Sequence, residues 1–481
     1  MDAFASALEQ AAAVRRREVS AAELVELYLE RIERINPSLN AFCLTTAELA
    51  RQQAADQMDG PLAGAPTSVK DLSAMAGYLL TFGSRALEGN VAEVDSFVVS
   101  RMKSAGCPIL GRTTTPEFGS RPVTEFGLHG TAHNPWNLDH TPGGSSGGAA
   151  AALAAGLCSW SHGTDGGGSV RIPASCCGLV GLKPSRGRIS PGPLVGEGWA
   201  GLSTQGVISR TVSDAAAALD ALAGHLPGDP YWAEPEGSYL EAPPPGRLRV
   251  GLQATAECGV HPEIESLVRR AARELELLGH HVEERGPDTA PFRDAMQLIV
   301  TAGTATYPIT DTSNLDPLNA RMIAAAGQAT AADYVRAVNT IRNHSRVVVS
   351  FWDDHDILVT PTLTQPPHPI GYFADLGQAT ARTYAWINFT YPYNSTGQPA
   401  ISLPLGMSSA GLPLGVQLVG PPRGEMLLLG VASQLEAVMP WRDRRPPLAR
   451  EQPAQLQRTA TSSGSDETST RQRTEPLRGS A

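Results

Sequence analysis

The sequence lacks the cysteine and histidine patterns of small disulfide-bonded or zinc-binding proteins. Its six cysteines form no CxxC pair, and no histidine cluster stands at zinc-finger spacing. A disulfide framework normally belongs to a much shorter secreted chain. We therefore expect free, mostly buried thiols in a reducing cytosol.

An excess of basic residues and a long apolar segment are missing as well. Lys and Arg total 38 against 48 Asp and Glu, a formal net charge of -10, which argues against nucleic-acid binding as the main function. The most apolar stretch, residues 147–160, is too short and too rich in Gly and Ala to span a bilayer. No basic segment followed by an apolar one stands at the start, so we expect no secretory signal. These absences predict a cytoplasmic protein without nucleic-acid or membrane partners.

Helical and strand-like segments alternate along most of the chain. Ser20 and Glu23 form a capping box that predicts the start of a helix, and Pro37 predicts its end. Further helices are predicted over residues 95–105, 149–155, 211–223, 261–278, 330–352 and 425–437, and strands over 108–111, 157–162, 248–252, 357–360, 400–405 and 414–419. Such alternation predicts a layered α/β fold.

The last part of the chain has a different composition. Residues 451–481 are rich in Ser, Thr, Gln, Arg and Glu and have almost no large apolar side chains. Such a segment cannot bury enough apolar surface to offset the entropy of ordering. We predict a disordered tail here and one folded domain over residues 1–450.

Two clusters of glycine and serine are candidates for chemistry. Residues 143–148 (GGSSGG) read as a flexible linker on composition alone, but a helix-forming alanine run follows at once, which favours a tight turn into a helix. In residues 163–171 (GTDGGGSVR), three glycines precede Ser169, so that backbone N–H groups can converge on a carbonyl oxygen. Ser169 is therefore a candidate nucleophile, with an ordinary glycine turn as the alternative.

A nucleophilic serine needs a base to accept its proton. The sequence has eleven histidines, and none stands in a local pattern typical of a catalytic triad. The other option is a lysine that burial keeps neutral. Lys70 follows a strand-like segment of low charge, although a solvated lysine also fits this position. Residue patterns alone leave the base open.

Three motifs taken together resemble the amidase signature family. They are residues 65–71 (APTSVKD), the GGSSGG cluster and residues 165–174 (DGGGSVRIPA), with Ser145 and Ser169 separated by 24 positions as in that family. The resemblance covers roughly residues 5–445. Residues 177–191 and 394–417 resemble most closely the bacterial amidases that include 6-aminohexanoate cyclic dimer hydrolase.

The resemblance implies a fold and an activity. The fold is the amidase-signature α/β fold, a central mixed, twisted β-sheet covered on both faces by helices. It implies a single amidase domain over residues 1–450, with a signature core at about 60–225 and a variable substrate-pocket region at about 287–393. The activity is hydrolysis of a carboxylic amide to the acid and ammonia or an amine through a seryl acyl-enzyme, without a metal or an organic cofactor.

The family also implies roles for the matched residues. Ser169 is the nucleophile, Ser145 lies on a cis peptide bond and shuttles a proton, and Lys70 is the terminal base. The backbone N–H groups that bind the oxyanion are those of Gly166, Gly167 and Gly168. The charged side chains that brace the loop are Asp165 and Arg171.

The substrate side is less specified. Gly166 departs from the family, which often has Thr or Ile there, and we expect the extra flexibility to loosen one oxyanion donor. Ser120 and Arg121 fall where relatives line the acyl pocket, although a solvated arginine also fits the pattern. Trp386 is a candidate lining residue in the variable region, where core packing is the alternative. The expected partner is a small amide, aryl or cyclic, and a homodimer is the assembly that we consider.

Three other interpretations stay open. Ser146 is the centre of a G-x-S-x-G sequence, typical of the nucleophile elbow of α/β-hydrolase esterases, but residues 138–142 before it are poor strand material. The amidase subunit of a tRNA-dependent amidotransferase is a second option, which the acidic charge does not favour. A non-catalytic binding protein is the third, and the intact Lys70, Ser145 and Ser169 oppose it.

Overall fold

The computed structural model describes residues 1–56, 59–309 and 311–450. Residues Met1–Ala449 form one compact unit. The disorder predicted for residues 451–481 lies outside the described residues. Within them, no helix is long and apolar enough to cross a membrane. All six cysteines are free thiols and four of them are buried, as the sequence predicted.

The described residues form fourteen α-helices and eleven β-strands. The helices are Ala7–Arg15 (α1), Ala21–Leu39 (α2), Ala47–Ala55 (α3), Phe97–Ser104 (α4), Gly147–Ala154 (α5), Arg171–Cys177 (α6), Val212–Leu222 (α7), Pro262–Leu277 (α8), Phe292–Thr304 (α9), Pro317–Ala326 (α10), Ala331–Val349 (α11), Ala379–Trp386 (α12), Pro392–Thr396 (α13) and Glu425–Val438 (α14). The strands are Phe42–Thr45 (β1), Thr67–Lys70 (β2), Ile109–Thr113 (β3), Trp160–Asp165 (β4), Val180–Lys183 (β5), Thr204–Ser209 (β6), Arg249–Leu252 (β7), His281–Glu283 (β8), Ile357–Pro361 (β9), Ala400–Met407 (β10) and Pro413–Val419 (β11).

The strands join in one mixed sheet, in the order β1-β3-β2-β4-β6-β5-β10-β11-β9-β7-β8. Strand β2 runs parallel to both β3 and β4, and β7 runs parallel to β8 and β9. The other neighbouring pairs are antiparallel. The layered α/β fold predicted from the alternation is confirmed, and the sheet is mixed, as the resemblance implied.

Helices cover both faces of the sheet. Successive strand side chains point to opposite faces. Ile109 belongs to the core on the face covered by α1, α4, α7, α8 and α14, and Leu110 belongs to the core on the face covered by α2, α3, α5, α6, α9 and α11. Val207 and Ile208 on β6 divide in the same way. The interior strands are therefore buried on both sides, which places the ends of β2 and β4 deep in the molecule.

The first long helix confirms one prediction and corrects another. The capping box is present, with Ser20 Oγ accepting from the Glu23 N–H at 3.1 Å. The helix does not end at Pro37 but continues to Leu39. A proline in the last turn removes only one intrahelical N–H bond. The Asn36 side chain then accepts the N–H groups of residues 41 and 42 and closes the end.

A buried ion pair links the start of α14 to the loop after β5. Arg188 and Glu425 approach within 3.0 Å and both side chains are fully buried. Glu425 also accepts the Ser185 N–H at 2.8 Å. Each charge therefore depends on the other for its compensation.

We predict that Glu425→Ala lowers the free energy of unfolding by about 3–5 kcal/mol, because it leaves the Arg188 charge buried and unpaired. Urea denaturation monitored by circular dichroism measures the effect. The control is Glu18→Ala, which removes the exposed partner of Arg16 and should leave the midpoint unchanged. Equal midpoints for the two variants would contradict the prediction.

Candidate active site

Two adjacent parallel strands bring a lysine and a threonine together at their carboxyl ends. Lys70 is the last residue of β2, and Thr164 lies near the end of the adjacent β4. Lys70 Nζ donates to Thr164 Oγ1 at 2.9 Å and to Ser145 Oγ at 2.7 Å. The Gly144–Ser145 peptide is cis, as the family resemblance predicted. The structure thus brings Lys70 and Ser145 into direct contact.

Ser169 lies in the turn between β4 and α6, beside this pair. Ser145 and Ser169 line one cavity. The Ser146 N–H donates to the Ser169 carbonyl at 3.2 Å, which ties the two serine-bearing segments together. No hydrogen bond joins the Ser145 and Ser169 hydroxyls among the described residues. Catalytic hydrogen bonds are often long before a substrate tightens them.

The environment of Lys70 favours an uncharged amine. Its side chain is fully buried, and burial lowers the pKa of Lys70 well below its ordinary value, while the nearby Asp165 carboxylate opposes the shift. A neutral amine can accept a proton, which an ammonium cannot. Among the described residues, no histidine lines this cavity. The nearby His162 is buried against Gln205, and burial lowers its pKa to about 4.

Asp165 and Arg171 form the brace that the resemblance predicted for the loop. The Arg171 guanidinium donates to both carboxylate oxygens of Asp165, at 2.8 and 3.0 Å, and both side chains are fully buried. It also bonds to the side chains of Asn394 and Gln417, both at 2.7 Å. Burial alone would raise the pKa of Asp165, but the Arg171 charge and the hydrogen bonds that Asp165 accepts from Arg171 and Asn394 hold that pKa below its usual range.

The brace changes the prediction for the oxyanion donors. The Gly168 N–H donates to Asp165 Oδ1 at 2.8 Å, and the Val170 N–H donates to Oδ2 at 3.2 Å. The Asp165 carboxylate that neutralises Arg171 also accepts the Gly168 N–H, so this N–H is not free to bind an oxyanion. Gly166 and Gly167 stay as the predicted oxyanion donors.

Two cavities meet at Ser169. The larger spans about 1050 Å³, part of it open to solvent. It is lined by Ser145, Thr164 and an aromatic group in which Tyr307 stacks on Phe118 with ring centres 4.2 Å apart. The smaller holds about 410 Å³, and its apolar wall includes Ile172, Met296, Val300, Tyr384 and Ile387. Both cavities share Gly119, Ser169 and Trp199.

Two of the three predicted pocket residues reach the smaller cavity. Ser120 and Arg121 both line it. The Arg121 guanidinium is not solvated: it is buried and pairs with Asp316 at 2.5 Å. It contributes to the wall while its charge is compensated within the protein.

Trp386 does not reach either cavity and is corrected to a core residue. Its side chain is buried, and its indole N–H donates to the Gln365 carbonyl at 3.0 Å. On α12 the residues that face the smaller cavity are Thr383 and Tyr384, with Ile387 just past the helix end. Trp386 immediately precedes Ile387, and because successive residues of a helix are turned by about 100°, its side chain points away from the cavity.

Ser146 has no nucleophile-elbow geometry. It occupies the position before α5, is fully buried, and donates to the Thr164 carbonyl at 3.3 Å. Residues 138–142 before it form a turn and one isolated bridge rather than a strand. The structure therefore does not support an α/β-hydrolase esterase.

Cys43, Asp71 and His129 form one cluster in the described residues whose ligand atoms come within reach of a single ion. Asp71 already receives the Arg112 Nε–H at 2.9 Å and the Thr81 hydroxyl at 2.5 Å. Burial raises the pKa of the Cys43 thiol, which favours the protonated form that does not bind metals. The cluster fits a hydrogen-bonded structural role better than a metal centre.

A comparison with known families agrees with this geometry. The amidase family model matches residues 23–429. The chain belongs to the amidase family. This confirms the resemblance based on the three motifs and the fold that it implied.

Individual amidases are similar over nearly the whole chain. A 6-aminohexanoate-cyclic-dimer hydrolase of Paenarthrobacter ureafaciens is 38% identical, covering 93% of this chain and 97% of that protein. A solved structure of such a hydrolase with its substrate superimposes with a TM-score of 0.90 at 37% identity, covering 93% of this chain and all of the other. A bacterial aryl acylamidase structure gives a TM-score of 0.84 at 28% identity, covering 94% and 99%.

Burial of Lys70 predicts a pH-dependent stability. The unfolded chain protonates this lysine up to its ordinary pKa, whereas the folded protein releases the proton at a lower pH. In the window between the two pKa values the unfolded state binds more protons, so the stability of the wild type rises with pH. Lys70→Met removes this contribution. Urea unfolding of both proteins at neutral and mildly alkaline pH should show a smaller rise for the variant, and parallel pH profiles would contradict the burial.

Proposed function

We propose that this amidase hydrolyses a neutral, largely apolar carboxylic amide through an acyl-enzyme on Ser169. The observation that carries the proposal is the contact between buried Lys70 Nζ and Ser145 Oγ, beside the cavity that Ser169 lines. A lysine with a lowered pKa is a base that can operate near neutral pH. Ser145 provides the hydroxyl through which a proton can pass.

The proposed reaction begins with two proton transfers. Neutral Lys70 accepts a proton from Ser145, Ser145 accepts one from Ser169, and Ser169 Oγ attacks the amide carbonyl. The Gly166 and Gly167 N–H groups bind the negative charge that forms on the oxygen. Ser145 then gives a proton to the leaving nitrogen and regains one from the Lys70 ammonium, so that the C–N bond breaks and an amine or ammonia departs. Water then gives a proton to the same relay, attacks the acyl-enzyme and releases the acid.

The substrate class rests on the cavities and on the relatives. No charged side chain lines the larger cavity among the described residues. The similar proteins named above act on a cyclic amide dimer or on aryl acylamides. We therefore propose an aryl or cyclic amide. A chain that hydrolyses simple amides alone, without glutamine, would not be an amidotransferase subunit.

Location and assembly belong to the same proposal. Six free thiols suit a reducing compartment, which supports the cytoplasm. Light scattering on the purified chain tests the homodimer considered from the sequence.

The relay predicts where a small fluorophosphonate reacts. Mass spectrometry should find the label on Ser169, and Ser169→Ala should lower kcat/KM by about 10⁴-fold or more. Lys70→Ala and Ser145→Ala should slow the labelling of Ser169, because neither leaves a path for its proton. The matched control is Ser203→Ala, a serine that lines the same cavity outside the relay. Label on another serine, or full activity in Lys70→Ala, would overturn the mechanism.

A further inference from the structure

Trp199 stands where the two cavities meet. Its indole lies against two glycines: a Cβ at Gly166 would come within 2.5 Å of Cζ3, and a Cβ at Gly303 within 2.5 Å of Cδ1. Gly166 belongs to the oxyanion loop and Gly303 to α9. Only glycine leaves room for the indole at these two positions. The Trp199 ring thus fills the space where a side chain at position 166 would lie. This packing opposes the extra flexibility that we expected at Gly166.

The segment that carries Trp199 is held in one conformation. Trp199 and Ala200 have φ angles of 51° and 54°, in the left-handed region that larger residues rarely adopt. Arg342 donates to the Ala200 carbonyl at 2.6 Å, and Arg186 donates to the Gly201 carbonyl. An unfavourable backbone that two arginines hold in place indicates a position under functional constraint.

The relay assigns the two sides of the substrate. Ser145 lines the larger cavity and does not line the smaller. If Ser145 protonates the leaving nitrogen, the amine part lies in the larger cavity. The acyl part then lies in the smaller one, beyond Trp199.

The two cavities differ in size and chemistry. The amine side is the wider of the two, about 1050 Å³ including space open to solvent, and its aromatic rings from Phe82, Phe118 and Tyr307 suit a planar apolar group. The acyl side offers about 410 Å³, bounded by Trp199, Met296 and Val300. A wall of this kind admits a short acyl chain and excludes a long one.

We propose that Trp199 is the residue that sets acyl-chain length, and that the enzyme takes secondary amides with a short acyl group and a bulky, neutral aromatic amine. This inference rests on the proposed function of Ser169 and Ser145. It also gives a physical reason for glycine at position 166, because any side chain there would displace the indole.

The test uses para-nitroanilides that share one amine and differ only in the acyl chain. For the wild type we expect kcat/KM to fall by about tenfold or more from acetyl to octanoyl, since a filled apolar pocket rejects added methylenes. Trp199→Ala should raise the octanoyl-to-acetyl ratio by about tenfold or more. The matched control is Trp232→Ala, an exposed tryptophan that lines neither cavity and should leave the ratio unchanged.

A second variant tests the same wall without touching Trp199. Val300→Phe narrows the acyl side and should lower the butyryl-to-acetyl ratio. The rate at which a small fluorophosphonate labels Ser169 shows that each variant is folded and that its relay works. Unchanged acyl ratios in Trp199→Ala and Val300→Phe, with normal labelling, would overturn the inference and leave the proposed function intact. A wild type that neither labels at Ser169 nor hydrolyses any anilide would instead overturn the proposed function.

Discussion

The proposed chemistry depends on keeping the amine of one lysine uncharged inside the protein. Burial accomplishes this by withdrawing water from Lys70, which penalises the ammonium form. The sheet makes that burial possible, because β2 lies between β3 and β4 and its last residue meets Ser145 and Thr164 inside the protein. A lysine on an edge strand would stay solvated and protonated.

The same site must also tolerate a buried carboxylate. Asp165 lies close enough to raise the pKa of Lys70, which would work against a neutral base. Arg171 offsets that charge, and Asn394, Gln417 and the Thr390 carbonyl accept the remaining N–H groups of the guanidinium. The Asp165–Arg171 pair thus has two roles. It shapes the loop that carries Ser169, and its arginine compensates the Asp165 charge beside Lys70.

Trp199 connects this machinery to selectivity. The ring lies on the glycine loop that we propose to bind the oxyanion, so the acyl chain and the reacting carbonyl are positioned by neighbouring groups. The contact between Trp199 and Gly166 then links the choice of acyl chain to the binding of the oxyanion. A bulkier residue at Gly166 would alter both at once.

Much of the chemistry is local in the sequence, and the sequence determined it. The glycine run before Ser169, the capping box of α2 and the alternation of helices and strands are short-range patterns with direct physical meaning. Family resemblance added Lys70 and Ser145, which residue patterns alone had left open. The fold class followed from these patterns, while strand β6, with its central glycine and few apolar residues, was missed because pairing with β4 and β5 defines it.

Only the tertiary structure decided which distant groups meet. Thr164 beside Lys70, Asp165 on the Gly168 N–H, and Trp199 on Gly166 and Gly303 arise from segments whose contacts leave no periodic signal in the chain. Trp386 shows the opposite case, an aromatic residue in the expected region that points into the core. Spacing along a chain fixes local conformation, but the shape of a pocket depends on how separate elements pack.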